Sequence, residues 1–298
     1  MEAVTDVVFR QVVAKAAAPD LFFSEFTNAT GWAAAGDRAI GGRLIREDNE
    51  GPIVAQLWGT KPDAMALLAA HCKTLGFNGI DINMGCPVTH ATKSGGGAGM
   101  IRTPELAAEM IAAAKSSGLP VSVKTRLGYS RLDEWTDWLT HILRQDIENL
   151  TIHLRTKKEM SKVPAHFELI PAIKKLRDEI APNTLLTING DIETREHALQ
   201  LISETGVDGA MIGRGIFHNP FAFEQEPRSH SREELLSLLD YQLDLHDEWN
   251  TVDHPRKFDP LKRFFKIYVR DFEGAAELRD ALMHSKNTDE VRVLLAKN

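Results

Sequence analysis

Cysteine is scarce in this 298-residue chain, with only Cys72 and Cys86 present. Two thiols in unlike settings make no disulfide framework, and they point to a reducing compartment. No apolar run approaches the roughly 18 residues that a membrane-spanning helix needs. The N-terminus lacks the basic-then-apolar order of a secretion signal. A cytoplasmic enzyme with no membrane partner is therefore the default expectation. The eleven histidines show no ligand spacing, so no metal is expected. Low-complexity stretches are absent. There is no overall excess of positive charge: the net charge is -7. That sign argues mildly against a nucleic-acid partner, although local distribution matters more than the sum.

What is present is ordinary globular composition, 43% hydrophobic and 26% charged. The length suits one large α/β barrel with a small extra unit, or two average domains. Short apolar runs rich in β-branched residues recur at roughly 30-residue intervals. They cover residues 21–26, 53–57, 79–83, 120–124, 149–153, 184–188 and 208–212. Helical spacing fills the gaps, with Ala64, Leu67, Leu68, His71, Cys72 and Leu75 predicted on one face. Thr103-Pro104 reads as an N-cap followed by proline at the first helical position.

Strand alternating with helix at this period predicts parallel βα units and a (β/α)8 barrel. The eighth strand is expected first. Met1 reads as the end of a strand whose body is absent, followed at once by a helical run over 6–17. A missing or truncated first strand is the expectation, since an open parallel sheet exposes an edge. From residue 231 onward the pattern is helical only, over 232–249, 260–272, 275–285 and 288–296. Ser231 and Glu234 fit a capping box. The expected division is a barrel over 1–225 and a helical unit over 226–298, joined by a linker at 224–231.

Each apolar run ends in a group able to do chemistry: Glu25, Gln56, Asn83, Lys124, His153, Asn189 and Gly213-Arg214. In a barrel of this kind the carboxyl ends of the strands converge on one mouth, where the active site is built. The loops Asn189-Gly190-Asp191 and Gly213-Arg214-Gly215 follow the last two strands, the usual phosphate site of the fold. Glycine admits close backbone approach and arginine supplies a charge-assisted clamp. A buried Lys124 needs an anionic partner, either a carboxylate or a reduced flavin. His153 reads equally well as a satisfied core histidine.

Cys86 lies just past a strand end in Asn83-Met84-Gly85-Cys86-Pro87. The glycine-rich stretch that follows, 92–99, reads as a mobile loop. A cysteine with a pKa near 8.5 is mostly protonated at neutral pH and able to donate. A small buried hydrophobe is the competing reading.

The Asn83-to-Cys86-Pro87 motif with its glycine-rich loop resembles the signature of tRNA-dihydrouridine synthases. The resemblance continues in order through Met1-Glu2-Ala3-Val4-Thr5-Asp6, Ser24-Glu25-Phe26, Val54-Ala55-Gln56-Leu57 and Ser122-Val123-Lys124-Thr125-Arg126-Leu127-Gly128. Ile152-His153-Leu154-Arg155-Thr156, Asn189-Gly190-Asp191-Ile192 and Gly213-Arg214-Gly215 extend it across residues 1–225. After Arg155 this chain reads Pro164-Ala165-His166-Phe167, where the family often has a glycine and an acid-tryptophan pair. The resemblance implies FMN, with NADPH as reductant, and tRNA uridines as substrate. It implies that Met1, Glu2, Gln56, Lys124 and His153 line the flavin, and that Asn189, Gly190, Asp191, Gly213 and Arg214 hold its phosphate. Asn83 and Arg155 would face the uracil, and Cys86 would donate a proton to C5 as hydride reaches C6.

Residues 254–270 carry Arg256, Lys257, Lys262, Arg263, Lys266 and Arg270 against Asp259 alone. The spacing predicts one basic helical side for tRNA phosphates; a solvated basic helix explains it as well. A monomer is expected from the access that tRNA requires. Two other readings stay open: an FMN barrel reductase of a small pyrimidine or enone, and a non-redox barrel binding RNA or a phosphorylated metabolite.

Overall fold

The computed structural model describes residues 4–252 and 254–297. Met1 and Glu2, implied above at the flavin, lie outside them. The apolar runs become one parallel sheet with the strands in sequence order. β1 (Phe22–Phe23) and β2 (Thr27–Asn28) both lie along β3 (Ile53–Trp58), as two pieces of one interrupted strand. β4 (Gly79–Asn83), β5 (Val121–Arg126), β6 (Asn149–His153), β7 (Leu185–Asn189) and β8 (Gly209–Met211) follow, each paired with the one before. Among the described residues no ladder joins β8 back to β1, so the sheet stays open.

Helices alternate with these strands: α1 (Val7–Ala17), α2 (Ala29–Ala35), α3 (Pro62–Thr74), α4 (Thr89–Lys93), α5 (Pro104–Lys115), α6 (Trp135–Leu143), α7 (Ile170–Ile180) and α8 (Arg195–Thr205). This is the α/β barrel architecture expected from the strand period. β4 is buried along its whole length, as parallel strands covered on both sides must be. Asp6 caps α1 by accepting from Phe9 N at 2.9 Å.

The tail consists of α9 (Arg232–Glu248), α10 (Phe265–Tyr268), α11 (Ala275–His284) and α12 (Thr288–Leu295). α9 packs on α1, and Lys15 Nζ sits 3.8 Å from the centre of the Tyr241 ring. The Ser231–Glu234 capping box forms as expected.

Two local expectations are corrected. Residues 260–272 are not one helix: a 3-10 turn, Asp259–Phe264, runs into the four-residue α10. Phe264, Phe265, Ile267, Tyr268 and Val269 are all buried, which a helix with one wet side cannot achieve. On α3 the covered face is Ala64, Met65, Leu68, Ala69 and Cys72, whereas Leu67 is 59% exposed. Thr103 and Pro104 stand at the N-cap and first turn of α5 as expected, with the Thr103 hydroxyl donating to Met100 O at 3.4 Å.

Candidate active site at the carboxyl ends of the strands

Register brings polar side chains of three neighbouring strands together. Gln56 pairs with Asp81, Asp81 with Ser122, and Asn83 with Lys124. Side chains alternate between faces along a strand, so Asp81 and Asn83 share the barrel-facing side of β4. Gln56 Nε2 donates to Asp81 Oδ2 at 2.7 Å, and Asn83 Nδ2 donates to Gln56 Oε1 at 3.0 Å. Asn83 Oδ1 accepts from Gly85 N at 3.2 Å and from Cys86 N at 2.9 Å. The residue ending β4 thus holds the backbone that carries the Cys86 thiol.

The glycine-rich stretch is packed rather than loose. Gly97 through Ile101 are buried in a 3-10 turn, and Ala98 N donates to Cys86 O at 3.0 Å. A Cβ on Gly97, at φ +53°, would lie 2.7 Å from Cys86 O, so only glycine lets this turn close over the cysteine. From the other side Arg126 Nε donates to Gly85 O at 2.7 Å, and its Nη1 reaches Thr156 O and Met160 O. Burial first, with Arg155 and Arg214 adding repulsion, lowers the Arg126 pKa to about 10, against the opposing pull of Cys86 and Glu159. It stays cationic at neutral pH.

Lys124 donates to Asn189 Oδ1 at 3.1 Å, and Asn189 Nδ2 donates to Met211 O at 2.8 Å, tying β5, β7 and β8 together. Lys124 and Gln56 stand inside their strands rather than at the ends. Burial, then the charge of Arg126, lowers Lys124 to about 8, while Asp81 and Cys86 pull the other way. His153 is pressed down to about 2 by burial and by Arg126, Lys124, Arg155 and Arg214, so it is neutral at physiological pH.

Arg155 is buried, with its guanidinium spread over three partners. Nε donates to Val163 O at 2.6 Å, Nη1 meets His153 Nε2 at 3.1 Å, and Nη2 bonds Asp191 Oδ2. Burial works against the charge of Asp191, but bonds from Arg155 and from Ala165 N hold its pKa below the usual carboxylate range. Gly190 has φ +122°, and a Cβ there would sit 3.2 Å from both Ala165 Cβ and His153 Cδ2. Glycine is therefore needed where this loop presses on the His153 ring. Arg214 is 63% exposed, and its contact with Asp191 is a long 3.7 Å.

Arg214 also lines a cleft of about 770 Å³ together with Val4, Phe217, His218, Lys262, Arg263, Lys266, Arg279 and Asp280. The basic segment is divided by the broken helix. Lys262, Arg263 and Lys266 meet at this cleft, while Arg256 pairs with Asp6. Arg270 lies 3.4 Å from Asp271 and lines a separate hollow with Arg228 and Arg232. Lys257 is exposed. One continuous helical side, as the spacing predicts, does not form.

Sequence reasoning passed over Asp81, Arg126 and Arg279. The alternation Asp81-Ile82-Asn83 carried a signal for the first: two polar groups two apart on a strand share a face. Among the described residues no group of three or more His, Cys, Asp or Glu could hold a metal ion, and no helix is long and apolar enough to cross a membrane.

The family model described as Dihydrouridine synthase (Dus) matches residues 1–297. A Bacillus subtilis (strain 168) protein named "Probable tRNA-dihydrouridine synthase 2" is 60% identical over 296 residues, covering 99% of this chain and 91% of that protein. A Staphylococcus epidermidis (strain ATCC 35984) protein named "Probable tRNA-dihydrouridine synthase" is 58% identical, covering 99% and 90%. Among solved structures, histamine dehydrogenase from Rhizobium sp. 4-9 superposes with a TM-score of 0.52 at 11% identity, over 74% of this chain and 42% of that one. The last is a likeness of fold.

Proposed function

The chain belongs to the dihydrouridine synthase family, and from that premise we propose that it reduces uridine in tRNA to 5,6-dihydrouridine with FMN as cofactor and NADPH as reductant. The carrying observation is the placement of Cys86: its backbone is pinned by Asn83, Arg126 grips the residue before it, and Lys124 lies opposite Asn83 on the next strand.

The residues present fit a phosphorylated flavin. Gly190 and Gly213 open two loops side by side, and Arg214 stands largely in solvent as a cation. Those loops with Asn189 and Asp191 would hold the phosphate, and Gln56, Lys124 and His153 would face the ring. When bound and reduced, a flavin supplies the hydride that adds to C6 of uracil.

The chain's own part is binding, orientation and the proton. Lys124, cationic below about pH 8, supplies positive charge where an anionic ring needs it. Arginine only donates hydrogen bonds, so His153 Nε2 accepts from Arg155 and the ring proton sits on Nδ1. His153 then offers a neutral donor. Cys86 delivers a proton to C5 of the uracil as general acid. Asn83 and Arg155 form the wall on the uracil side, Asn83 by holding the Cys86 backbone and Arg155 by bracing His153 and Asp191.

The tail after residue 225 is the tRNA-binding unit in this reading. Lys262, Arg263, Lys266 and Arg279 share one cleft with Arg214, so the RNA backbone and the phosphate loops lie in one positive field. Arg256, Lys257 and Arg270 would act at its margins. The target base must leave its stack to reach the mouth. Digestion of treated tRNA followed by mass measurement of its nucleosides tests the reaction. The reading expects uridines heavier by one hydride and one proton, and tRNA left unchanged by flavin-loaded protein and NADPH contradicts it.

A further inference from the structure

Asp81 is fully buried on β4, and the reaction above gives it no task. Ser122 Oγ donates to its Oδ1 at 2.7 Å and Gln56 Nε2 to its Oδ2 at 2.7 Å. A carboxylate only accepts hydrogen bonds and a backbone N–H only donates. Gln56 must therefore turn its NH2 to Asp81 and its carbonyl oxygen to Asn83. Asn83 must turn its NH2 to Gln56 and its oxygen to the N–H groups of Gly85 and Cys86. The polarity of both amides is set from both ends of the run, and the run finishes at the residue bearing the thiol.

We propose that Asp81 is the positioning residue of the Cys86 loop: its acceptor oxygens lock the Gln56 and Asn83 amides in the one orientation that leaves the Asn83 oxygen for the Cys86 N–H. The proposal rests on reading Cys86 as the proton donor. With an apolar side chain at 81, the Gln56 NH2 is left buried without its acceptor. The backbone N–H groups of Gly85 and Cys86 still set the polarity of Asn83, and Asn83 that of Gln56. The far anchor of the run is gone, however, and Gln56 shifts to relieve its unpaired donor. Asn83 follows the oxygen it bonds, and the Cys86 loop that it holds moves with it. An amide at 81 is different. Its oxygen still accepts from Gln56, and its NH2 can donate to Ser122 Oγ, whose hydroxyl already reaches Ile80 O at 3.4 Å.

The test compares Asp81→Leu with Asp81→Asn in the flavin-loaded protein. The leucine variant should lose between about ten- and a hundredfold in kcat for uridine reduction, the scale of a misplaced reacting group. KM for tRNA should hold. The asparagine variant should keep kcat within about threefold, as polarity is retained. A second readout needs neither flavin nor tRNA: alkylation of Cys86 by iodoacetamide. Cys72 is fully buried with its thiol pushed up to about 12, so labelling reports on Cys86. The leucine variant should label at a rate several-fold different from the parent, and the asparagine variant at the parent rate. Should leucine prevent folding, Asp81→Ala takes its place. Equal losses in the apolar and asparagine variants would overturn the proposal in favour of the carboxylate's charge, and parent-like labelling in both would show the amide run to be idle. If the parent reduces no uridine at all, the proposed function fails, yet the labelling rates still decide whether Asp81 sets the loop.

Discussion

His153 Nε2 lies 3.1 Å from Arg155 Nη1, and that contact decides which ring nitrogen carries the proton. The same guanidinium bonds Asp191 and the carbonyl of Val163. Lysine has one ammonium in place of a planar fork and cannot serve all three at once. Arg155→Lys should therefore weaken flavin binding about tenfold, equivalent to roughly 1.4 kcal/mol, by releasing the His153 ring and the Asp191 loop together. A titration of flavin fluorescence checks it. Parent-like affinity would show that the loop keeps its shape without the fork.

The Lys124 ammonium, proposed to face the flavin ring, is held at a cost to the fold. Its folded pKa is lowered to about 8 from 10.5. Between those values the unfolded chain binds more protons, so stability rises with pH across that window. Below pH 8 the buried cation is a burden. Lys124→Met should raise stability at pH 7 by about 2 kcal/mol, a figure reduced for the partial exposure of the side chain, while removing uridine reduction. Urea denaturation at pH 7 and pH 9.5 measures it: the gain should shrink at the higher pH. An equal gain at both would mean that Lys124 is not desolvated as described.

Cys86→Ala removes the proposed acid without touching the phosphate loops. Flavin content and flavin reduction by NADPH should stay at parent levels, and uridine reduction should fall by roughly 10²–10⁴-fold, the usual range for a lost general acid. Single-turnover reoxidation of the reduced protein by tRNA reads the step directly. Turnover equal to the parent would remove Cys86 from the mechanism.

Lys262, Arg263 and Lys266 line the cleft that holds Arg214. Reversing the charge of Lys262 and Arg263 together should weaken tRNA binding and flatten the dependence of log affinity on log salt by roughly two units, about one for each phosphate no longer neutralised. Arg270→Glu, at a separate hollow beside Asp271, should change that slope less. Filter binding across a salt series separates them, and a larger effect at Arg270 would place the RNA on the other face.

The strand order was legible because parallel strands covered on both sides read as short apolar runs with no competing periodicity. Cys86, Lys124 and His153 stood out as candidates because a chemically active group is conspicuous in such a run. Asp81 was only half legible: its alternation with Asn83 puts both on one face, but the register that brings it to Gln56 and Ser122 is set by strand pairing. Arg126 was hidden in the same way: its partners are the backbone oxygens of Gly85, Thr156 and Met160, which no side-chain pattern encodes. The helical expectation over 260–272 failed because the buried residues Phe264, Phe265, Ile267, Tyr268 and Val269 outweighed the spacing of the cations. Leu67 and Leu75, both exposed, show the smaller version of that limit: the face was drawn rotated away from the buried Met65 and Ala69.

The most direct test of the account is the visible spectrum of the purified protein, loaded with FMN and reduced by NADPH without oxygen, before and after adding unmodified tRNA. The account predicts an oxidised-flavin spectrum that bleaches with NADPH and returns with tRNA but not with free uracil. A reduced flavin that tRNA leaves bleached, or that free uracil reoxidises as well, would contradict it.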